Sequence, residues 1–240
     1  MFPHKVKGAW GADAGKMQKF ADLQKRRVCC IFSRTEENMN ELDIFKDFIS
    51  SGNIRLDALL KFTAEIDKMT RVLRRNLLVD RSRRENDAEH SWHISVMALL
   101  FREFAVEKVD PLHAVEMLLV HDLVEIYAGD TFAYDVEGYK TKASREKAAA
   151  EKLFAMLPRE QGIHIRALWE EFDTRSSADA RYADCLDKLQ PFLHNMLTEG
   201  HTWKAEDIQT LRHQVEQRMS VLREFMPEVH VWVEKSIEYR

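Results

Sequence analysis

The stretch VHDLVEIYAGD, Val120 to Asp130, sets His121, Asp122, Glu125 and Asp130 among Leu118, Leu119, Leu123, Val124 and Ile126. Four ionisable side chains in an apolar run cost free energy unless something pairs with them. Imidazole nitrogen and carboxylate oxygen together suit Mn, Fe, Co, Ni or Zn better than Mg or Ca. One stretch supplies too few donors, and two others offer more. RRENDAEHSW carries His90, and ADARYADCLDKL carries Asp184 and Asp187. A histidine, an adjacent His-Asp pair and a distant aspartate make a donor set for a divalent ion with positions left open. Such an ion makes water a far stronger acid.

The elements that must carry these residues read as helices. Asp110-Pro111 predicts a helix start, because Asp caps the first free N–H groups and Pro suits the first turn. From there one helix is expected to run to Gly129, which stops it, with Asp130 just beyond. On that helix His121 and Glu125 are i and i+4, and Asp122 and Glu125 are i and i+3, so each pair projects over neighbouring turns. Leu56, Leu59, Leu60, Ile66, Met69, Val72 and Leu73 recur near a 3.6-residue period. Val96, Leu99, Leu100 and Phe104 do the same, as do Ile208, Leu211, Val215, Met219 and Leu222. TKASREKAAAEKLFAMLP is rich in helix formers and meets Pro158. With only 8 glycines and 5 prolines, and no long alternating segment, the expected fold class is all-α.

Bulk properties narrow the function. The chain has 240 residues, 45% hydrophobic and 32% charged, as an ordinary globular protein does. A formal charge of −4 speaks against a nucleic acid polymer as partner, though it leaves room for a local phosphate pocket. No apolar run approaches the ~20 residues of a membrane helix, and no charged-then-apolar leader opens the sequence. Cys29, Cys30 and Cys185 show no ligand spacing and fit a reduced, cytoplasmic setting. Residues 1–38 differ from the rest: eight Lys/Arg face four acids there, and no long apolar face appears. They read as a flexible extension ahead of a single domain over 39–240.

The order His90, His121-Asp122, Asp184 resembles the H…HD…D signature of the HD-domain metal-dependent phosphohydrolases. ENDAEHSW, HDLVEIYAGD and ADCLDKL are similar to the branch that hydrolyses 5′-(deoxy)nucleoside monophosphates. The likeness covers residues 56–200, and the GYP block of the cyclic-di-nucleotide phosphodiesterases is absent from the sequence. The resemblance implies a helical HD-type bundle with a divalent metal between its helices. It implies His90, His121, Asp122 and Asp184 as ligands, with Mn, Co, Ni, Fe or Zn favoured over Mg. It implies Glu125 as general base or water orienter, and Asp130 as the acid beside the leaving 5′-oxygen or the ribose. An upstream arginine, Arg74 or Arg75, is implied at the phosphate. The implied partner is a small phosphorylated substrate, a nucleotide, and the implied assembly is a homodimer.

Two rival readings share the metal set: an HD hydrolase of another phosphorylated metabolite, and a catalytically idle nucleotide-binding regulator. His93, i+3 from His90, reads as a core histidine or a support for the ligands. Cys185 and Trp169 read as packing residues, and TFAYDVEGY as a lid beside Asp130.

Overall fold

The structure is a computed structural model that describes residue 45, residues 48–203 and residues 208–239. Its contacts divide the chain into Met1–Phe48 and Ile49–Arg240. The basic head and the boundary expected at residues 38 and 39 lie outside the described residues. Every described helix and strand belongs to the second unit.

Asn53 caps helix α1 (Ile54–Ile66), its side chain accepting from the Arg55 and Leu56 N–H groups. A 3-10 turn over Asp67–Arg71 leads into a small antiparallel hairpin, β1 (Leu73–Leu77) with β2 (Arg84–Asn86). Leu73 pairs with Asn86 and Leu77 with Arg84. Among the described residues this is the only sheet. Its strands read LRRNL and REN, so neither shows the apolar alternation that marks a half-buried strand.

Helix α2 (Asp87–Leu100) starts at a full capping box, in which Asn86 and Glu89 satisfy each other's backbone N–H. Asp110 caps helix α3 (Pro111–Val120), with Pro111 in its first turn as expected. The single helix expected to reach Gly129 is instead broken. Helix α3 ends at Val120, a turn covers residues 121–124, and a one-turn helix α4 (Glu125–Ala128) follows. The His121 Nδ1–H donates to the Leu118 carbonyl at 2.9 Å, the acceptor that a continuing helix would offer to the Asp122 N–H. Tighter bonds, Leu123 N–H to Val120 O and Glu125 N–H to Asp122 O, replace the helical ones. Gly129 closes α4 at φ +76°, a conformation glycine adopts without a Cβ penalty.

The remaining helices are α5 (Val136–Phe154), α6 (Arg159–Thr174), α7 (Ala178–Leu197), α8 (Ile208–Phe225) and α9 (Pro227–Glu238). The architecture is all-α apart from the hairpin. Helix α3 lies between two apolar clusters. Ala114 and Leu118 join residues of α2, α7, α8 and α9, whereas Met117 and Val120 join residues of α5 and α6. Met117 and Leu118 are fully buried, each worth about 1.5–3 kcal/mol relative to exposure. The end of α3 is thereby held from both sides at the point where His121 and Asp122 leave it. Among the described residues no helix is long and apolar enough to cross a membrane.

Candidate metal centre

His90 sits in the first turn of α2, where the capping box fixes the helix start, and it is wholly buried. Its Nδ1–H donates to Gln190 Oε1 on α7 at 3.0 Å, so its Nε2 carries the lone pair when the ring is neutral. That Nε2 lies 3.0 Å from Asp187 Oδ1. His121 repeats the arrangement from the end of α3. With Nδ1–H given to Leu118 O, its Nε2 lies 3.1 Å from Asp122 Oδ2 and 3.7 Å from Asp187 Oδ1. One donor atom each from His90, His121 and Asp187 falls within 4.8 Å of the others. Lone pairs therefore face lone pairs, and only a cation, a proton or a metal ion, relieves that arrangement. Committing Nδ1–H to an oxygen acceptor is how metal-binding histidines are usually oriented, so these residues fit a divalent ion.

Asp122 links this cluster to a second one. Asp87, Asp122 and Glu125 also bring carboxylate oxygens within 4.8 Å of one another. Both oxygens of Asp87 and Oε2 of Glu125 are buried with no hydrogen-bond partner among the described residues. Arg74, from β1, lies against these acids. It is 2.9 Å from Asp122 Oδ2, 3.5 Å from Asp87 Oδ1 and 3.7 Å from Glu85 Oε2. Burial acts to lower the Arg74 pKa, but Asp122, Asp187 and Asp87 outweigh it and hold the guanidinium charged.

The carboxyl groups divide in two. Burial works to raise Asp122 and Asp187, yet the histidines drive both below the usual carboxylate range, with Arg74 adding to the effect on Asp122. Burial followed by the charges of Asp122, Asp87 and Asp130 pushes Glu125 well above its ordinary value. Asp87 rises to about 8, from burial and then Asp122. Asp130 is raised chiefly by burial. The histidines separate as well. Burial and Arg74 pull His90 down to about 4, whereas at His121 the carboxylates Asp122 and Asp187 overcome burial and lift it to about 10.

A cavity of about 280 Å³ opens beside the clusters, reached by His121, Asp122, Glu125, Asp130 and Asp187. Five cationic side chains also line it: Arg74, Lys142, Arg175, Lys188 and Arg218.

Residues 66–230 match the HD domain. The chain belongs to the HD-domain family. The chain shares 44% identity with a solved protein from Magnetospirillum magnetotacticum, described as a predicted metal-dependent phosphohydrolase. That likeness covers 80% of this chain and 95% of the other, with a TM-score of 0.72. The protein named 5′-deoxynucleotidase HDDC2 is 28% identical in Homo sapiens and 30% in Bos taurus, over 57% and 56% of this chain. The matches span 66% and 65% of those relatives' own lengths, just under two thirds.

Within this HD domain, His90 and His121 share one cluster, Asp122 and Glu125 share the other, and His121, Asp122, Glu125 and Asp130 line the cavity. Asp184 does not enter the histidine cluster. It points to the cavity wall, where Arg175 Nε lies 2.9 Å away and Lys188 pairs with its other oxygen. Asp187, one turn on, is the aspartate of this helix that meets both histidines. Positions three apart on a helix differ by about 60° in direction, enough to turn one aspartate to the histidines and the other to the cations. Of the two arginines, Arg74 reaches the acids, whereas Arg75 lies over the Phe132 ring, 5.1 Å from its centroid.

Sequence reasoning misses Asp87, Glu85, Gln190, Lys188 and Arg218 as parts of the site. The helical spacing Asp187, Gln190, His194 on α7 is one signal that could have pointed to Gln190. Cys185 and Trp169 are buried as expected. Trp203 lines a cavity next to Asp130 together with Phe132 and Tyr134 of the expected lid.

Proposed function

We propose that the chain is a divalent-metal-dependent phosphohydrolase that converts 5′-(deoxy)nucleoside monophosphates to nucleoside and inorganic phosphate. The observation that carries this is the pair of imidazoles whose Nδ1–H groups are given away while both Nε2 atoms face carboxylate oxygen. The ligands are His90, His121, Asp122 and Asp187, with Asp187 replacing Asp184 in the set expected from sequence. Nitrogen-plus-oxygen donors favour Mn, Co, Ni, Fe or Zn over Mg. The names borne by the Magnetospirillum, human and bovine relatives support the reaction class.

When bound, the cation supplies Lewis acidity and depresses the pKa of water and of nearby carboxyls. Glu125, whose proton affinity burial raises, takes the proton of the attacking water as its oxygen bonds to phosphorus. Asp130, also raised by burial, gives a proton to the departing 5′-oxygen as the P–O bond breaks. Lys142, Lys188, Arg175 and Arg218 compensate the charge of the phosphoryl group from the cavity wall. Arg74, held against Asp122 and Asp87, positions the acids and offers its remaining donors to phosphate.

The test is a metal-depleted preparation restored with single divalent ions and assayed for phosphate release from 5′-nucleotides, sugar phosphates and pyrophosphate. Activity confined to the non-nucleotides would overturn the substrate class, and no activity with any ion would overturn the reaction. Replacing Glu125 by Gln should keep Mn²⁺ binding in calorimetry and lower kcat by about 10²–10⁴.

The same reading makes the enzyme a cytoplasmic homodimer. Helix α2 exposes Trp92 (66%), Leu99 (50%) and Leu100 (63%), a surface suited to association. Sedimentation at a single monomer mass would remove that part.

A further inference from the structure

Asp130 stands in the connection between α4 and α5, and it lines the cavity of the metal centre. Aspartate is a short side chain, so its carboxyl goes where the backbone of that connection is held.

Arg145, on α5, holds the connection on both sides of Asp130. Its Nη1–H donates to the Ala128 carbonyl at the close of α4, and its Nη2–H donates to Thr131 Oγ1 at 2.8 Å. A longer bond from Nη2 reaches the Gly138 carbonyl at 3.4 Å, and Nε–H donates to Thr141 Oγ1 at 3.2 Å, one turn back along α5. The guanidinium thus spends four of its five donors on carbonyl and hydroxyl oxygens. Thr131 is gripped through its methyl as well, since a Cβ on Gly138 would stand 3.1 Å from Thr131 Cγ2.

Capping α4 needs only the bond to Ala128. It does not account for the bonds to Thr131 and Gly138, which lie beyond that helix. Contact with phosphate does not account for them either. The cations lining the cavity are Arg74, Lys142, Arg175, Lys188 and Arg218, and Arg145 is outside it.

We propose that Arg145 is a positioning residue for the reaction: it fixes the backbone on both sides of Asp130 and thereby aims the carboxyl that serves the leaving 5′-oxygen. Arginine suits this task because its planar fork presents donors in fixed directions, whereas the ammonium of lysine is a compact point charge. The assignment rests on the phosphohydrolase reading of the adjacent centre.

The experiment measures kcat and KM for the 2′-deoxynucleoside 5′-phosphates of the four common bases in the Mn²⁺-loaded enzyme. Arg145→Met and Arg145→Lys are each compared with wild type, and Arg145→Met is repeated in an Asp130→Asn background. Arg145→Met should lower kcat about 10–100-fold, with KM and calorimetric Mn²⁺ affinity within about threefold of wild type, and Arg145→Lys should recover part of the loss. In Asp130→Asn the same change should cost less than about twofold, because the group it positions is already gone. An equal cost in both backgrounds, or a loss of Mn²⁺ affinity that matches the loss of kcat, overturns the assignment. Hydrogen–deuterium exchange reads the anchoring without turnover. In Arg145→Met the amides of residues 129–137 should exchange faster while those of α2 and α7 stay as in wild type. Unchanged exchange at 129–137, or a rise across the whole chain, overturns the anchoring. If the wild type hydrolyses none of the four nucleotides, the phosphohydrolase reading fails instead, and the exchange alone decides whether Arg145 holds the connection.

Discussion

Two clusters in this protein hold the same ingredients and do different things. His90, His121 and Asp187 form one; Glu85, His93 and His194 form the other, and each brings its donor atoms within 4.8 Å. Gln190 stands between them. In the second cluster its Nε2 lies 2.6 Å from Glu85 Oε1 and 3.2 Å from both His93 Nδ1 and His194 Nε2. The centre is filled by an amide that shares its two hydrogens among three surrounding acceptors. In the first cluster the histidine N–H groups face outward, to Gln190 and Leu118, and the lone pairs face one another. Two imidazoles and a carboxylate are therefore not in themselves a metal site. What decides is the partner of the other ring nitrogen and whether a donor already occupies the middle. The second cluster acts as a support: it anchors the Gln190 NH₂ and so turns the Gln190 oxygen toward His90.

The strongest way to break the comparison is at Asp187. Asp187→Ala should abolish Mn²⁺ binding in calorimetry and reduce hydrolysis to background, whereas Asp184→Ala should leave metal affinity within about threefold. Asp184→Ala should instead raise KM, because Lys188 and Arg175 lose their common anchor. The opposite order of effects would return Asp184 to the ligand set.

A smaller effect is expected at the partition. Gln190→Leu removes the acceptor for the His90 Nδ1–H and should weaken metal binding about 10–100-fold. Gln190→Glu keeps that acceptor and should recover part of the loss. Equal affinity in Gln190→Leu and wild type would show that the support does not orient His90.

The smallest effect concerns pH. Burial, with His93 adding to it, lowers His194 from its ordinary 6.5 to about 4. Between those values the unfolded chain binds a proton that the folded imidazole refuses, so stability should fall as pH drops from 6.5 toward 4. His194→Gln should flatten this acid-side slope in urea unfolding. An unchanged slope would mean that His194 is protonated within the fold, contrary to its role as acceptor for Gln190.

Much of the helical frame was legible because local rules govern it. Asp110-Pro111 opens α3, Gly129 closes α4, and the apolar period of Leu211, Val215, Met219 and Leu222 appears as α8. The hairpin was not legible, since its pairing links polar strands through backbone bonds rather than through an apolar face. The break after Val120 was missed for a related reason. A side chain, His121, competes for a backbone acceptor there, and period-based reading does not register that competition.

Taken alone, the sequence determined the kinds of group available and the order in which they come: a histidine early in one helix, a His-Asp pair at the end of another, and acids on a third. Short-range geometry sufficed for this, because caps, turns and helical spacing act within a few residues. Only the tertiary structure set Asp187 rather than Asp184 beside the histidines, and Arg74 rather than Arg75 beside the acids. Each choice depends on the angle at which α7 or β1 meets helices far away in sequence. The tertiary structure also added Asp87, buried beside Asp122 and Glu125, and Gln190, set between two histidine clusters. Desolvation and charge at those points come from residues up to a hundred positions distant, and local spacing carries no trace of them.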